Sequence, residues 1–239
     1  MNGLSFRSLG ALPEIRAGDD LPGLLAQLVP AGDGILVVAQ KIVSKAEGRT
    51  VALDEVKPGP AAQRLAAEVD KDPRQVEVIL RETRRIVRKA TGILICETRH
   101  GLVCANAGVD LSNAPGPDVA ILLPLDPDAS ARAIQQKLGP GRGVVISDTF
   151  GRPWREGLVD VAIGVAGFHP LRDYVGSADR AGRVLRVTVM ALADQLAAAA
   201  GILMEKDSGR PCVWIEGVRP EGNGRLADLL RDPARDLFR

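Results

Sequence analysis

The chain has 239 residues, 46% of them hydrophobic and only 3% aromatic, which suffices for one sizeable core built mainly of Val, Leu, Ile and Ala. Its 31 Lys and Arg balance 30 Asp and Glu to a formal net charge of +1, and no basic tract carries interleaved aromatics, so nucleic acid is not an expected partner. No stretch approaches the roughly 20 consecutive apolar residues that span a bilayer, and the first residues lack a long apolar run, so neither a membrane span nor a signal peptide is expected.

A first strand is predicted around residues 4–9, followed by a Gly-Pro turn. Asp19 and Asp20 before Leu21-Pro22 mark a helix start. The run 35–39 is a buried strand. It leads into Gln40-Lys41 and then Lys45, where two lysines gather as the strand emerges. Lys45 suits a phosphate, but on spacing alone a solvated loop is the reading to prefer; the stretch is not a P-loop, because the GxxxxGK[ST] pattern is missing. Residues 61–69 and 73–90 read as two amphipathic helices. Residues 93–96 and 102–105 form a hairpin around a turn that carries His100. Asp110, Ser112 and two asparagines follow, which is either an oxygen-rich ligand site or an Asx-rich turn. Ser130 is a candidate cap for a helix over 131–138.

The stretch 143–164 carries the strongest chemistry. Val144-Val145-Ile146 is a β-branched run that stops at Ser147-Asp148-Thr149, with a turn at Gly151. A carboxylate and a hydroxyl at a strand's end suit Mg²⁺ or Mn²⁺, and Arg152 and Arg155 offer guanidinium forks for phosphate or carboxylate. A turn cap with two solvated arginines accounts for the same residues. The small residues of VAIGVAG (161–167) permit close backbone approach. An alternating stretch from Val184 passes into an Ala-rich helix ending near Leu203, then a polar loop over 205–210, a last strand over 211–215 and a charged tail over 220–239. Strands and helices mix without strict alternation, which predicts an α+β fold with mixed sheets and packed helices. The three cysteines, Cys96, Cys104 and Cys212, form no CxxC pair, so buried thiols in a reducing cytoplasm are expected rather than zinc or disulfides.

Four stretches in this order, LVVAQKIVSKAEGR, VCANAGVDLSN, VVISDTFGRPWREG and VAIGVAG, resemble the coenzyme F420-0:γ-glutamyl ligases. The resemblance implies a GTP-dependent amide ligation of L-glutamate to F420-0 through an acyl phosphate. It implies Mg²⁺ or Mn²⁺, with K⁺ as a further cation, and an intertwined homodimer. Asp110, Asp148 and Thr149 match metal ligands, joined by Met204 through its backbone. Leu12, Pro13, Glu14 and Ile15 match a loop against the nucleotide, and Gln40, Lys41, Lys45 and Asn113 match further nucleotide contacts. Ile202, Leu203, Met204, Glu205, Lys206, Asp207, Ser208 and Gly209 match a segment that wraps the nucleotide. Arg152 and Arg155 are assigned, from charge and position, to gripping the acyl phosphate or the glutamate carboxylates. Two departures stand out: Gln40-Lys41 replaces a small hydroxyl pair, and Glu205-Lys206-Asp207 replaces a Gly-rich loop. The whole of 1–239 is expected to be one ligase-like domain without the nitroreductase-like domain of some bacterial relatives. A ligase joining another acid and amine, and a nucleotide-binding module without turnover, are the alternative readings.

Overall fold

A computed structural model describes residues 3–237. The first half of the chain runs through β1 (Ser5–Ser8), α1 (Leu21–Leu28), β2 (Gly34–Ala39), α2 (Gln40–Ala46), β3 (Thr50–Ala52), α3 (Pro60–Val69), α4 (Pro73–Glu82), β4 (Thr83–Ala90), β5 (Ile93–Thr98), β6 (Val103–Ala105) and β7 (Val119–Ile121). The second half adds α5 (Pro127–Leu138), β8 (Arg142–Arg152), β9 (Arg155–Ala166), β10 (Leu171–Asp173), β11 (Val189–Ala191), α6 (Leu192–Met204) and β12 (Cys212–Glu216). The class is α+β, as the sequence predicts.

The main sheet has the order β1-β12-β2-β8-β9, antiparallel throughout except for the parallel pair β2 and β8. Alternation along its strands sorts the core onto two faces. Leu36, Val38, Val144, Ile146 and Trp214 pack with α1 and α5, whereas Ile35, Val37, Val145, Val213 and Ile215 pack with α6. A third cluster, including Leu53, Val76, Ile79, Leu94 and Cys96, gathers α3 and α4 against the β4-β5-β6 sheet. The helices start where acids can cap them: Asp20, Asp72 and Asp126 each accept a backbone N–H from the first turn of α1, α4 and α5.

β9 is an edge strand, and its outer amides are covered by carboxylates. Asp194 accepts from Ala162 N at 2.9 Å and Asp128 from Val165 N at 2.9 Å. The small residues of 161–167 do allow close packing. A Cβ at Gly164 would lie 2.5 Å from the Pro127 carbonyl oxygen, so only glycine lets α5 begin against β9.

Four expectations are corrected. The segment 73–90 is not one helix: α4 ends at Glu82, and 83–90 pairs with β5 through an irregular register, with Arg84 and Arg85 on the Glu97 carboxylate. Ile86 and Val87 satisfy a helical period, but tertiary pairing decides. Residues 40–46 form a helix rather than a loop. Asp126, not Ser130, caps α5, which begins at Pro127. β8 does not stop at Asp148. It runs to Arg152 and pairs with β9 from Asp148 to Arg155 as a two-stranded arm beyond the end of β2, so Gly151 lies in a strand and the turn falls at Pro153-Trp154.

Candidate functional site

A cavity of about 700 Å³ opens at the carboxyl end of the parallel pair, where β2 hands over to α2 and β8 continues alone into the arm. Clefts of this size and place commonly take small ligands. Its walls come from six segments distant in sequence: the loop 12–15, the first turns of α2, the segment 104–113, β8 from Ser147 to Gly151, Leu158 and Asp160 of β9, and the loop that follows α6.

Acids and lysines alternate around it. Lys41 Nζ lies 2.7 Å from Asp110 Oδ2 and donates to the Ser112 carbonyl at 3.1 Å. Asp110 also accepts from the Ser112 amide at 2.8 Å and the Ser112 hydroxyl at 2.9 Å. Burial would push this carboxyl up, but the Lys41 ammonium and the Ser112 donors outweigh it and hold it below the usual carboxylate range. Asp148 behaves oppositely. Burial pushes it up to about 6, the Thr149 amide and Lys41 offset this in part, and the Asp110 and Asp160 carboxylates add to the rise. Two neighbouring acids with opposed shifts are a mark of functional sites. Lys45 Nζ meets Glu14 Oε1 at 2.6 Å. Gln40 is 1% exposed; it accepts from Ser44 Oγ at 2.8 Å while its Nε2 has no protein partner, which leaves a buried donor free at the cavity wall.

The loop after α6 is tied across the opening. Lys206 Nζ donates to Thr149 Oγ1 at 2.5 Å and lies 3.6 Å from Asp160 Oδ1, while Ser208 Oγ donates to the Met204 carbonyl at 3.0 Å. Glu205 begins this loop at a φ of +30°, in the region glycine favours. A Gly-rich loop would carry no strain there.

Of the residues singled out from the sequence, the structure brings to this one cavity Leu12, Pro13, Glu14, Ile15, Gln40, Lys41, Lys45, Asp110, Asn113, Asp148, Thr149, Met204, Glu205, Lys206, Asp207 and Gly209. It does not bring Ile202, which is 77% exposed, Leu203, which packs on the sheet, or Ser208, which acts within the loop. Arg152 and Arg155 also fall outside the lining. They flank the arm's turn, and Arg152 Nε donates to the Gly157 carbonyl at 3.3 Å. Their proximity to Asp148 in sequence is lost because the strand keeps going. One lining acid escapes sequence reading: Asp160, directly across the arm from Thr149 and accepting its hydroxyl at 2.5 Å. Only the register of the hairpin reveals that pair.

Asp110, Asp148, the Thr149 hydroxyl and the Met204 carbonyl are all hard oxygen donors, a set that suits Mg²⁺ or Mn²⁺, while Asp160 is engaged by the Thr149 hydroxyl. Burial above all, with Asp110 and Asp160 adding to it, disfavours the ionised form of Asp148, a cost that a cation beside it would relieve. Among the described residues no three His, Cys, Asp or Glu side chains are grouped as a metal cage.

Known proteins of one family share this sequence along most of its length. The sequence model of a family described as F420-0:Gamma-glutamyl ligase matches residues 10–217. A coenzyme F420:L-glutamate ligase of Methanopyrus kandleri is 46% identical with the whole of both chains covered. One of Methanothermobacter thermautotrophicus is 45% identical over 99% of each chain, and one of Methanocaldococcus jannaschii is 43% identical over 95% of this chain and 94% of that one.

Proposed function

The chain belongs to the F420-0:γ-glutamyl ligase family, and from that premise we propose that it joins L-glutamate to the deazaflavin coenzyme F420-0 at the expense of GTP. The observation that carries the reading is the convergence of three of the four family stretches, and the residue before the fourth, on one cavity. Lys45 comes from the first, Asp110 and Asn113 from the second, and Asp148 and Thr149 from the third, while Asp160 immediately precedes the fourth.

A carboxylate is a poor electrophile, so the proposed reaction first activates it. A carboxylate oxygen of F420-0 attacks the γ-phosphorus of GTP, and the bond to the β-phosphate oxygen breaks to release GDP. The glutamate amine then attacks the acyl carbon, phosphate leaves, and the amine proton is lost to solvent. Asp110, Asp148, Thr149 and the Met204 carbonyl would hold a divalent cation, which neutralises charge on the phosphoryl oxygens. Lys45 and Lys41 supply positive charge for the phosphates as their present partners Glu14 and Asp110 give way. Gln40 Nε2 offers its unused N–H to a nucleotide oxygen. Gln40 is buried and already held by Ser44, so its donor is in place before the ligand arrives. Arg152 and Arg155 receive no step within their own chain's cavity.

The family's homodimer is the assembly we propose, with the arm and the segment before β11 at its interface. Trp154, Leu158, Val184 and Val187 are between 60% and 88% exposed and would be covered in such an assembly. Among the described residues no helix is long and apolar enough to cross a membrane, and the proposed site of action is the cytoplasm. The reading is tested by phosphate release from GTP, which must require both F420-0 and L-glutamate. Release without either would be GTP hydrolysis by water and would overturn the reading, release that requires a different acid and amine would support ligation of that pair, and binding of GTP with no release would leave a nucleotide-binding module.

A further inference from the structure

The Thr149 hydroxyl has one proton and two neighbours. Lys206 has only donors to offer, so the 2.5 Å contact from Nζ must fall on a lone pair of Oγ1. The Asp160 carboxylate has only acceptors, so the hydroxyl proton must point to it. The direction of Thr149 is therefore settled by Asp160, and its lone pairs face the cavity. Asp160 is itself held. It is only 10% exposed, it sits in register across from Thr149, and α6 backs it so closely that a Cβ at Gly201 would lie 2.6 Å from its Oδ2. Lys206, by contrast, is 74% exposed on a flexible stem at the start of a loop.

We propose that Asp160 is a positioning residue that turns the Thr149 lone pairs into the cavity, and that the Lys206 ammonium resting on them is an internal stand-in displaced when a divalent cation enters. The proposal rests on the cation assignment made above for Thr149 and Asp148. It explains why a lysine is compatible with a place where the family resemblance leads one to expect glycine. The ammonium neutralises Asp160 while the site is empty of metal and fastens the 205–209 loop over the cavity. Entry of a cation then costs the loop its anchor, so metal loading and loop release are coupled.

The test uses the full chain and Mn²⁺ alone, with affinity read from water-proton relaxation, alongside Asp148→Asn as the reference for loss of the cation. Asp160→Ala removes the acceptor and is expected to weaken Mn²⁺ about 10- to 100-fold, the usual cost of losing a residue that orients a metal ligand. Asp160→Asn keeps an acceptor for the Thr149 proton and should retain most of the affinity, within about threefold by the same reasoning. Lys206→Met should tighten Mn²⁺ about tenfold, because a competing like charge within hydrogen-bond reach is worth roughly a pKa unit or more. It should also raise amide exchange of residues 205–209 in the metal-free protein. Equal losses in Asp160→Asn and Asp160→Ala would show that Asp160 acts as charge alone and overturn the positioning role. Unchanged or weaker Mn²⁺ binding in Lys206→Met would overturn the displacement. If Asp148→Asn binds Mn²⁺ like the wild type, the cation assignment itself falls, and this inference with it.

Discussion

Replacing Asp148 by Asn should stabilise the metal-free protein at alkaline pH while destroying its response to metal. The carboxyl stands at about 6 in the folded chain instead of 3.8, chiefly through burial. The folded state thus holds this proton more tightly than the unfolded one. The stabilising effect is full below the unfolded value and is lost as pH rises through 6, so the ionised group opposes folding at pH 8. The displacement corresponds to at most about 3 kcal/mol. The side chain lines an open cavity, and solvent screening brings the expected figure to about 1–2 kcal/mol. Asn keeps an oxygen for the Thr149 amide and carries no charge to desolvate. The assay is urea unfolding of both proteins from pH 4 to 8, with and without Mn²⁺. Without metal, the variant's advantage should grow from near zero at pH 4 to its full value at pH 8. With Mn²⁺, the wild type alone should gain stability, and its gain should increase with pH because the metal competes with the proton. An Asn variant less stable than wild type at pH 8, or a difference that ignores pH, would refute the argument.

Other consequences are simpler to read. Asp128→Ala orphans the Val165 and Leu226 amides, now 2.9 and 3.0 Å from Oδ1, and should cost about 1–3 kcal/mol in urea unfolding. Gly164→Ala forces the Pro127 backbone to move and should cost about 1–3 kcal/mol, seen as a lowered Tm. Lys45→Ala breaks a pair with the exposed Glu14 and should change stability by less than about 1 kcal/mol, yet weaken GTP in a calorimetric titration about tenfold or more. The thiols should resist Ellman's reagent in the native protein at pH 8, since all three cysteines are buried and burial pushes Cys104 up to about 12; prompt labelling of Cys104 would contradict its placement.

Much of the scaffold is legible in the sequence because burial leaves a local signature. The apolar runs of β2, β8 and β12 and the acid-then-proline starts of α1 and α4 are such cases. The boundary between α4 and β4 is not legible, since Thr83 to Ala90 carries a periodicity that a helix would satisfy and a partner strand overrides. The site shows the same division. Asp110, Asp148 and Lys45 stand out as charges at the ends of apolar runs. Asp160 is hidden inside the arm, because its role depends on which residue lies opposite it. Arg152 and Arg155 lie outside the lining for the converse reason. They follow Asp148 closely in sequence, but an extended strand carries them away from the cavity rather than folding them back over it.

The central claim is the ligation, and one incubation tests it directly. The purified protein is given GTP, Mn²⁺ or Mg²⁺, L-glutamate and F420-0, and the deazaflavin is weighed by mass spectrometry. The expected product is heavier by one or more glutamyl units and is absent when GTP is withheld. Unchanged F420-0 in the presence of folded, GTP-bound protein would contradict the claim.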